Sequence, residues 1–142
     1  MATLSVTIKE EVNLNGATRG STIVNNITSV NKVYHQLITA STTETVLFST
    51  AATEAGSTFA PADVKYIRIT NINATDVACD IRIADAAQEY FVRLNQNESY
   101  VLGNALLDAN ATVGNNVTMA NITSIKGKTA SSSALLEVFV AV

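Results

Sequence analysis

Between Val64 and Gly103 apolar and polar residues alternate in short runs, and this period of two narrows the possible folds more than any other feature. Val77, Cys79, Ile81 and Ile83 alternate with Ala78, Asp80 and Arg82. Tyr90, Val92 and Leu94 repeat the pattern, with Phe91 and Arg93 facing the other way. Successive side chains of a strand point to opposite sides of its sheet, so a period of two belongs to a strand with one buried face. Polar joints at Asn71–Asp76, Asp85–Gln88 and Asn95–Ser99 cut the stretch into four strands. Their spacing of roughly ten residues is the rhythm of a sandwich or barrel. The expected local arrangement is a β-meander.

The first residues follow the same rule. Leu4, Val6, Ile8, Val12 and Leu14 fall on one face, and Thr3, Ser5, Thr7, Lys9, Glu11 and Asn13 on the other, with Glu10 breaking the apolar side. That predicts one long strand with a wet face, as in antiparallel sheets. Asn15-Gly16 is a strong two-residue turn signal, and Ile23–Ile27 reads as a short second strand. Val30–Thr39 follows, with His35 on the face of Val33 and Leu37. Glu44–Thr50 is expected to be a strand with Val46 and Phe48 on one face.

Residues 51–64, AATEAGSTFAPADV, lose the alternation; Pro61 and the small residues predict a loop with a helical turn around Ala51–Ala55. Ala105–Val117 reads as an exposed excursion anchored by Leu106 and Leu107. Two strands close the chain, Val117–Lys126 and Leu135–Val142, with a turn region at Gly127–Ser133. Leu135–Val142 is apolar on both faces apart from Glu137, so it is either central in a sheet or covered by another chain.

The expectation is an all-β chain of about eight to ten strands, essentially without helix. It is an antiparallel two-sheet β-sandwich, with a jelly roll as the leading topology. At 142 residues it forms a single sandwich domain over 1–142 and buries roughly two thirds of its unfolded surface without staples. Hydrophobic residues make up 47% and charged residues only 15%, the deficit being filled by Ser, Thr and Asn.

Charge and cysteine usage exclude several classes. The net charge of −3 is spread without runs, which leaves no footprint for nucleic acid or an anionic membrane. No apolar run reaches membrane-span length, and the first residues lack the basic region and apolar block of a signal peptide. Synthesis in a cytoplasm is the expectation. Cys79 is the one cysteine, so no disulfide forms within the chain. Its phase with Val77 and Ile81 makes it a small buried hydrophobe.

Catalytic chemistry is thin. His35 is the one histidine, which reads as a satisfied residue at a sheet or subunit contact. Asp76, Asp80 and Asp85 form a spaced acidic set that reads as a solvated face, with Arg82 as the ion-pair neighbour of Asp76 and Asp80. The calcium loop, the nucleophile elbow, the phosphate loop and Cys-x-x-Cys are absent. Asn-x-Ser/Thr triplets at Asn26, Asn73, Asn97, Asn110, Asn116 and Asn121 follow from an Asn-, Ser- and Thr-rich composition. The chain is read as not an enzyme, with no catalytic, cofactor-binding or metal-binding residues and no cofactor.

VKYIRITNIN, EYFVRLNQNESYVLG and the closing NITSIKGKTASSSALLEVFVAV, with the opening NLNG-ATRGST turn, resemble a group of small β-rich structural proteins of tailed, marine podovirus-like bacteriophages. The likeness spans most of the chain and rests on strand and turn patterns. It implies a virion component of the capsid decoration or cement type, made in the host cytoplasm and located on the capsid surface. The implied partner is the major capsid protein, and the implied state is a homo-oligomer, with a trimer favoured. The N-terminal strand and Ala105–Val117 are the candidates for reaching a neighbour. The alternative is a phage fibre, tail or surface adhesion module that binds a host glycan; no Trp and only 6% aromatic residues weigh against a sugar platform. A small hydrolase using His35 is a third class.

Overall fold

Asn15 and Gly16 both adopt left-handed backbone, with φ of 54° and 78°. Two such residues in succession make the tight turn whose twist matches a pair of antiparallel strands. A computed structural model of the chain describes residues 1–51, 58–60, 63–85, 89–103, 107–108, 116–117 and 122–142. From the Asn15-Gly16 turn the chain runs back along itself. β1 (Ala2–Lys9) pairs with β4 (Thr22–Val30), and β2 (Val12–Leu14) pairs with β3 (Ala17–Arg19). One register serves both pairs: Leu4 faces Ile27, Ile8 faces Ile23, Val12 faces Arg19 and Leu14 faces Ala17. The Glu10 N–H donates to the Ser21 carbonyl at 2.8 Å between the two pairs. The expected long first strand is therefore interrupted at Glu10–Glu11, where the apolar alternation also breaks. The expected short strand at Ile23–Ile27 extends over the whole of β4.

The chain forms two compact units, Met1–Lys32 and Val33–Val142. The ribbon is the first. The sandwich is built from the second, rather than from residues 1–142 together as expected.

The second unit contains β5 (Val33–Ala40), β6 (Thr45–Thr50), β7 (Thr58–Phe59), β8 (Tyr66–Asn71), β9 (Cys79–Ala84), β10 (Glu89–Leu94), β11 (Ser99–Leu102), β12 (Leu107–Asp108), β13 (Asn116–Val117), β14 (Ser124–Thr129) and β15 (Ala134–Ala141). One sheet has the order β11-β8-β15-β5 and the other β10-β9-β14-β6-β7. β12 and β13 pair with each other, and β7 is a short parallel addition to β6. The other eight strands pair first with last, second with seventh, third with sixth and fourth with fifth: β5 with β15, β6 with β14, β8 with β11, β9 with β10. A ribbon folded about its middle and rolled so that β15 also meets β8, and β14 also meets β9, is a jelly roll. The all-β, antiparallel expectation holds, and the strand order is that of the jelly roll.

The core lies between the two sheets. Ile67, Ile69, Leu136, Val138 and Val140 come from one side and Leu47, Phe48, Cys79, Ile81, Ile83 and Ile125 from the other, all buried. Phe48 stacks on Phe59 with ring centroids 5.1 Å apart, and Tyr34 meets Phe59 edge-on at 4.7 Å.

Three expectations are corrected here. The four strands between Val64 and Gly103 form no meander: β9–β10 is a hairpin nested between β8 and β11, which lie in the other sheet. Alternation reports which face is buried but not which strand is the neighbour. Val46 and Phe48 do not share a face, because β6 is bulged against β14: Phe48 faces Ile125 while Val46 faces Lys126. A bulge turns consecutive residues the same way, so Leu47 and Phe48 are both buried and Val46 is exposed. Gly127 lies inside β14 rather than in a turn. A Cβ there would sit 3.2 Å from the side chains of Leu47, Cys79 and Leu136, so the glycine makes room for the bulged Leu47. β15 is central, paired on both sides, which accounts for its two apolar faces. The proposed helical turn in 51–55 lies mostly outside the described residues, as does most of the Ala105–Val117 excursion.

Candidate interaction surfaces

His35, Glu137, Arg68, Thr70 and Ser99 come from four neighbouring strands, and their placement follows from register. Glu137 faces Thr70 and Leu37, and Phe139 faces Arg68 and His35. Side chains on one face of adjacent strands lie close enough to pair across the sheet. His35 Nε2 lies 2.5 Å from Glu137 Oε1. Arg68 Nη1 donates to Glu137 Oε2 at 3.0 Å and to Thr70 Oγ1 at 2.9 Å, and Thr70 and Ser99 share a hydroxyl–hydroxyl bond at 2.8 Å. This polar ladder crosses β5, β15, β8 and β11 on the outer face of their sheet. Burial pushes the Glu137 carboxyl up, but the hydrogen bonds from His35 and Arg68 outweigh it and hold the group below its ordinary value. Arg68 also lies over the Phe139 ring, 6.0 Å from its centroid. Exposed Val33, Leu37 and Val101 flank the ladder.

The outer face of the other sheet carries charged groups beside exposed Val46 and Phe91. Lys126 and Arg82 both donate to Glu44, at 3.1 and 3.0 Å, and Arg82 also meets Glu89. Arg93 grips Asp80 with two bonds of 2.7 and 3.0 Å, and its hydrogen bonding holds the Asp80 carboxyl below its ordinary value. The sequence reading paired Asp80 with Arg82, two residues along the same strand. Register instead places Arg93 directly opposite Asp80 on β10, and the cross-strand pair is the shorter reach. Asp76 precedes β9 and Asp85 follows it, so the three acids are not brought together on one strand.

The ribbon supplies a third surface. Leu4, Val6, Ile8, Val12 and Leu14 share one face, as the alternation predicts, and opposite them stand Ile27, Asn25, Ile23, Arg19 and Ala17, so the stripe is apolar except at Asn25 and Arg19. The other face carries Ser5, Thr7, Lys9, Thr22 and Asn26 with Val24. Towards the turn the stripe is open: Ile8, Val12, Leu14 and Ile23 are each more than half exposed.

His35 stands on the outer face of β5, as its phase with Val33 and Leu37 predicts. Cys79 is fully buried and free, and burial pushes its thiol up to about 11. Sequence reasoning missed Asn71, taken for a turn residue. It is fully buried, its Nδ2 donates to the carbonyls of Val77 and Leu94 at 2.8 and 3.1 Å, and its Oδ1 accepts from the Asn73 N–H at 3.2 Å. An Asn closing an otherwise apolar strand was the available signal. Asn26, Asn73 and Asn97 lie in described segments, Asn97 in a left-handed turn; Asn110 and Asn121 lie outside them.

Among the described residues no group of three or more His, Cys, Asp or Glu side chains could hold a metal ion. No helix among them is long and apolar enough to cross a membrane. Compared with known proteins, the chain matches no family model, no curated protein and no solved structure.

Proposed function

We propose that the chain is a structural virion protein, a decoration or cement protein that binds the outside of a phage head and braces the shell. The observation that carries this reading is the open apolar stripe of the ribbon at Ile8, Val12, Leu14 and Ile23. Single exposed apolar side chains are ordinary on a protein surface, whereas several grouped along one face are the kind of patch that interaction sites use. The resemblance of the KYIRITN and ALLEVFVA strands to phage structural proteins names the setting. The jelly roll recurs in viral capsid domains, an analogy of fold that adds weight without assigning a role.

The mechanism is mechanical. Hydrogen-bonded antiparallel strands resist shear, and copies linked into an oligomer bind a repeating shell far more firmly than one copy does. The partner in this reading is the major capsid protein, the assembly a homo-oligomer with a trimer favoured, and the working place the capsid surface. The ladders of ion pairs serve as wet, register-fixing surfaces rather than as catalytic groups, so the reading assigns no enzymatic step.

The test is binding. Purified protein is titrated onto empty phage heads and the heads are pelleted. The reading expects saturation near one oligomer per repeating position of the shell. Protein that stays in the supernatant at every ratio overturns it and turns attention to glycan binding.

A further inference from the structure

A strand at the end of a sheet offers a row of unpaired backbone N–H and C=O groups, and proteins guard such edges with charge, with bulges or by keeping them very short. Most edges in this chain are guarded in one of these ways. β10 carries Glu89 and Arg93, β11 is only four residues long, and the two-residue β7 lies beyond a bulged β6. In the ribbon, β1 ends in Lys9 and shifts register against β4, which holds Ser29 in left-handed backbone at φ 61°. β5 is the exception. It ends its sheet, with a neighbour on one side only among the described residues. Its eight residues, VYHQLITA, include no Lys, Arg, Asp, Glu, Pro or Gly, and they pair with β15 in one unbroken register.

We propose that β5 pairs edge to edge with β5 of a second copy, antiparallel and about a two-fold axis at Gln36, so that the β11-β8-β15-β5 sheets of the two copies run on as one.

The occupant is a second copy because β5 is its own complement. Residues directly opposite on neighbouring strands point to the same face, so a shared core side requires core-facing residues of β5 to oppose core-facing residues of its mate. With Gln36 at the axis, Tyr34 opposes Ile38 of the second copy, and Gln36 opposes itself. An aromatic ring against a β-branched side chain is a favourable cross-strand pair. Two side-chain amides each offer a donor and an acceptor, so the Gln36 pair satisfies itself. Tyr34 and Ile38 pack against the core but are only partly buried, and a strand alongside completes their cover. On the outer side His35 opposes Leu37 and Val33 opposes Thr39, which brings no like charges together. An axis at Leu37 instead would set Gln36 against Ile38 and lose both matches. The contact does not depend on a large apolar area, because in strand addition the main-chain hydrogen bonds supply the affinity. The same patch is used by both copies, so the pair is closed. The inference concerns the protein alone and goes beyond the capsid reading; three such pairs also accommodate a threefold assembly.

The test uses the full chain without phage heads. Light scattering on the unaltered protein at high concentration is expected to give an even multiple of the chain mass. Directly opposed residues of antiparallel strands have Cα atoms about 4.5–5.5 Å apart, within the span of a disulfide. Oxidised Gln36→Cys is therefore expected to link chain to chain, while Val33→Cys, far from its own copy across the axis, is not; the natural Cys79 is buried. Val33 and Thr39 are exposed, so substitutions there leave the fold intact. Val33→Lys with Thr39→Lys sets like charges opposite each other at both ends and is expected to give single chains. Val33→Lys with Thr39→Glu sets opposite charges there and is expected to restore the pair. A mass of one chain or of three for the unaltered protein overturns the inference. So does Gln36→Cys that forms no interchain disulfide, or a Lys/Glu variant that stays as single as the Lys/Lys one. Single chains that coat phage heads overturn this inference alone, and pairs that ignore heads overturn the capsid reading alone.

Discussion

Gly127 and Asn71 show how much one residue decides here. Gly127 has van der Waals neighbours on three sides, with Leu47, Cys79 and Leu136 each 3.2 Å from where a Cβ would stand. Gly127→Ala is expected to lower stability by about 1–3 kcal/mol, the usual cost of overfilling a packed core, read as a reduced denaturant midpoint at unchanged slope. Asn71→Ala leaves the Val77 and Leu94 carbonyls without their donor in a buried site. Its expected cost is about 1–3 kcal/mol, checked by thermal unfolding. Neither role was legible beforehand. Gly127 sits in a Gly-Lys-Thr-Ala-Ser-Ser run that mimics a turn, and only the bulge on another strand explains why a glycine is needed there. Asn71 looks like the first residue of a polar joint, and its burial depends on the ends of β9 and β10 arriving from elsewhere in the chain. His35 and Cys79 were legible because phase within their own strands fixes which way they point.

At the scale of the element, local signals were reliable and partners were not. The Asn15-Gly16 turn and the stripe from Leu4 to Leu14 follow from residues adjacent in sequence. β9 with β10 is a hairpin and was within reach of the same reasoning. β8 with β11 and β5 with β15 join residues far apart in the chain, and a period of two is equally satisfied by any neighbour. The turn carries a direct prediction. Gly16→Val places a β-branched side chain at φ 78°, a strain of about 1–2 kcal/mol for left-handed backbone. Hydrogen exchange should show faster exchange of the β2 and β3 amides, with β8 and β15 still protected. Equal loss across β8 and β15 would mean that the ribbon and the sandwich unfold as one.

At the scale of the whole molecule, the Val33–Val142 unit is a jelly roll whose outer faces are laced with ion pairs, and its stability should register them in acid. The hydrogen bond from Arg93 holds Asp80 low, that from Lys126 holds Glu44 low, and the Asn95 backbone N–H holds Glu98 low. In Glu137, bonds from His35 and Arg68 outweigh burial in the same direction. Carboxyl groups depressed in the folded state add stability that is present above the ordinary carboxylate range and lost as pH falls through the folded values. The melting temperature should change little from neutrality to about pH 5 and drop below about pH 4. Asp80→Asn should make that drop shallower.

The most direct test of the central claim, that this chain is a building block of a virion surface, is where it sits on a phage head. Electron cryomicroscopy of empty heads incubated with the protein should show sandwich-sized density repeated over the shell at symmetry-related positions. Bare shells, or density confined to the tail or a single vertex, would contradict the account.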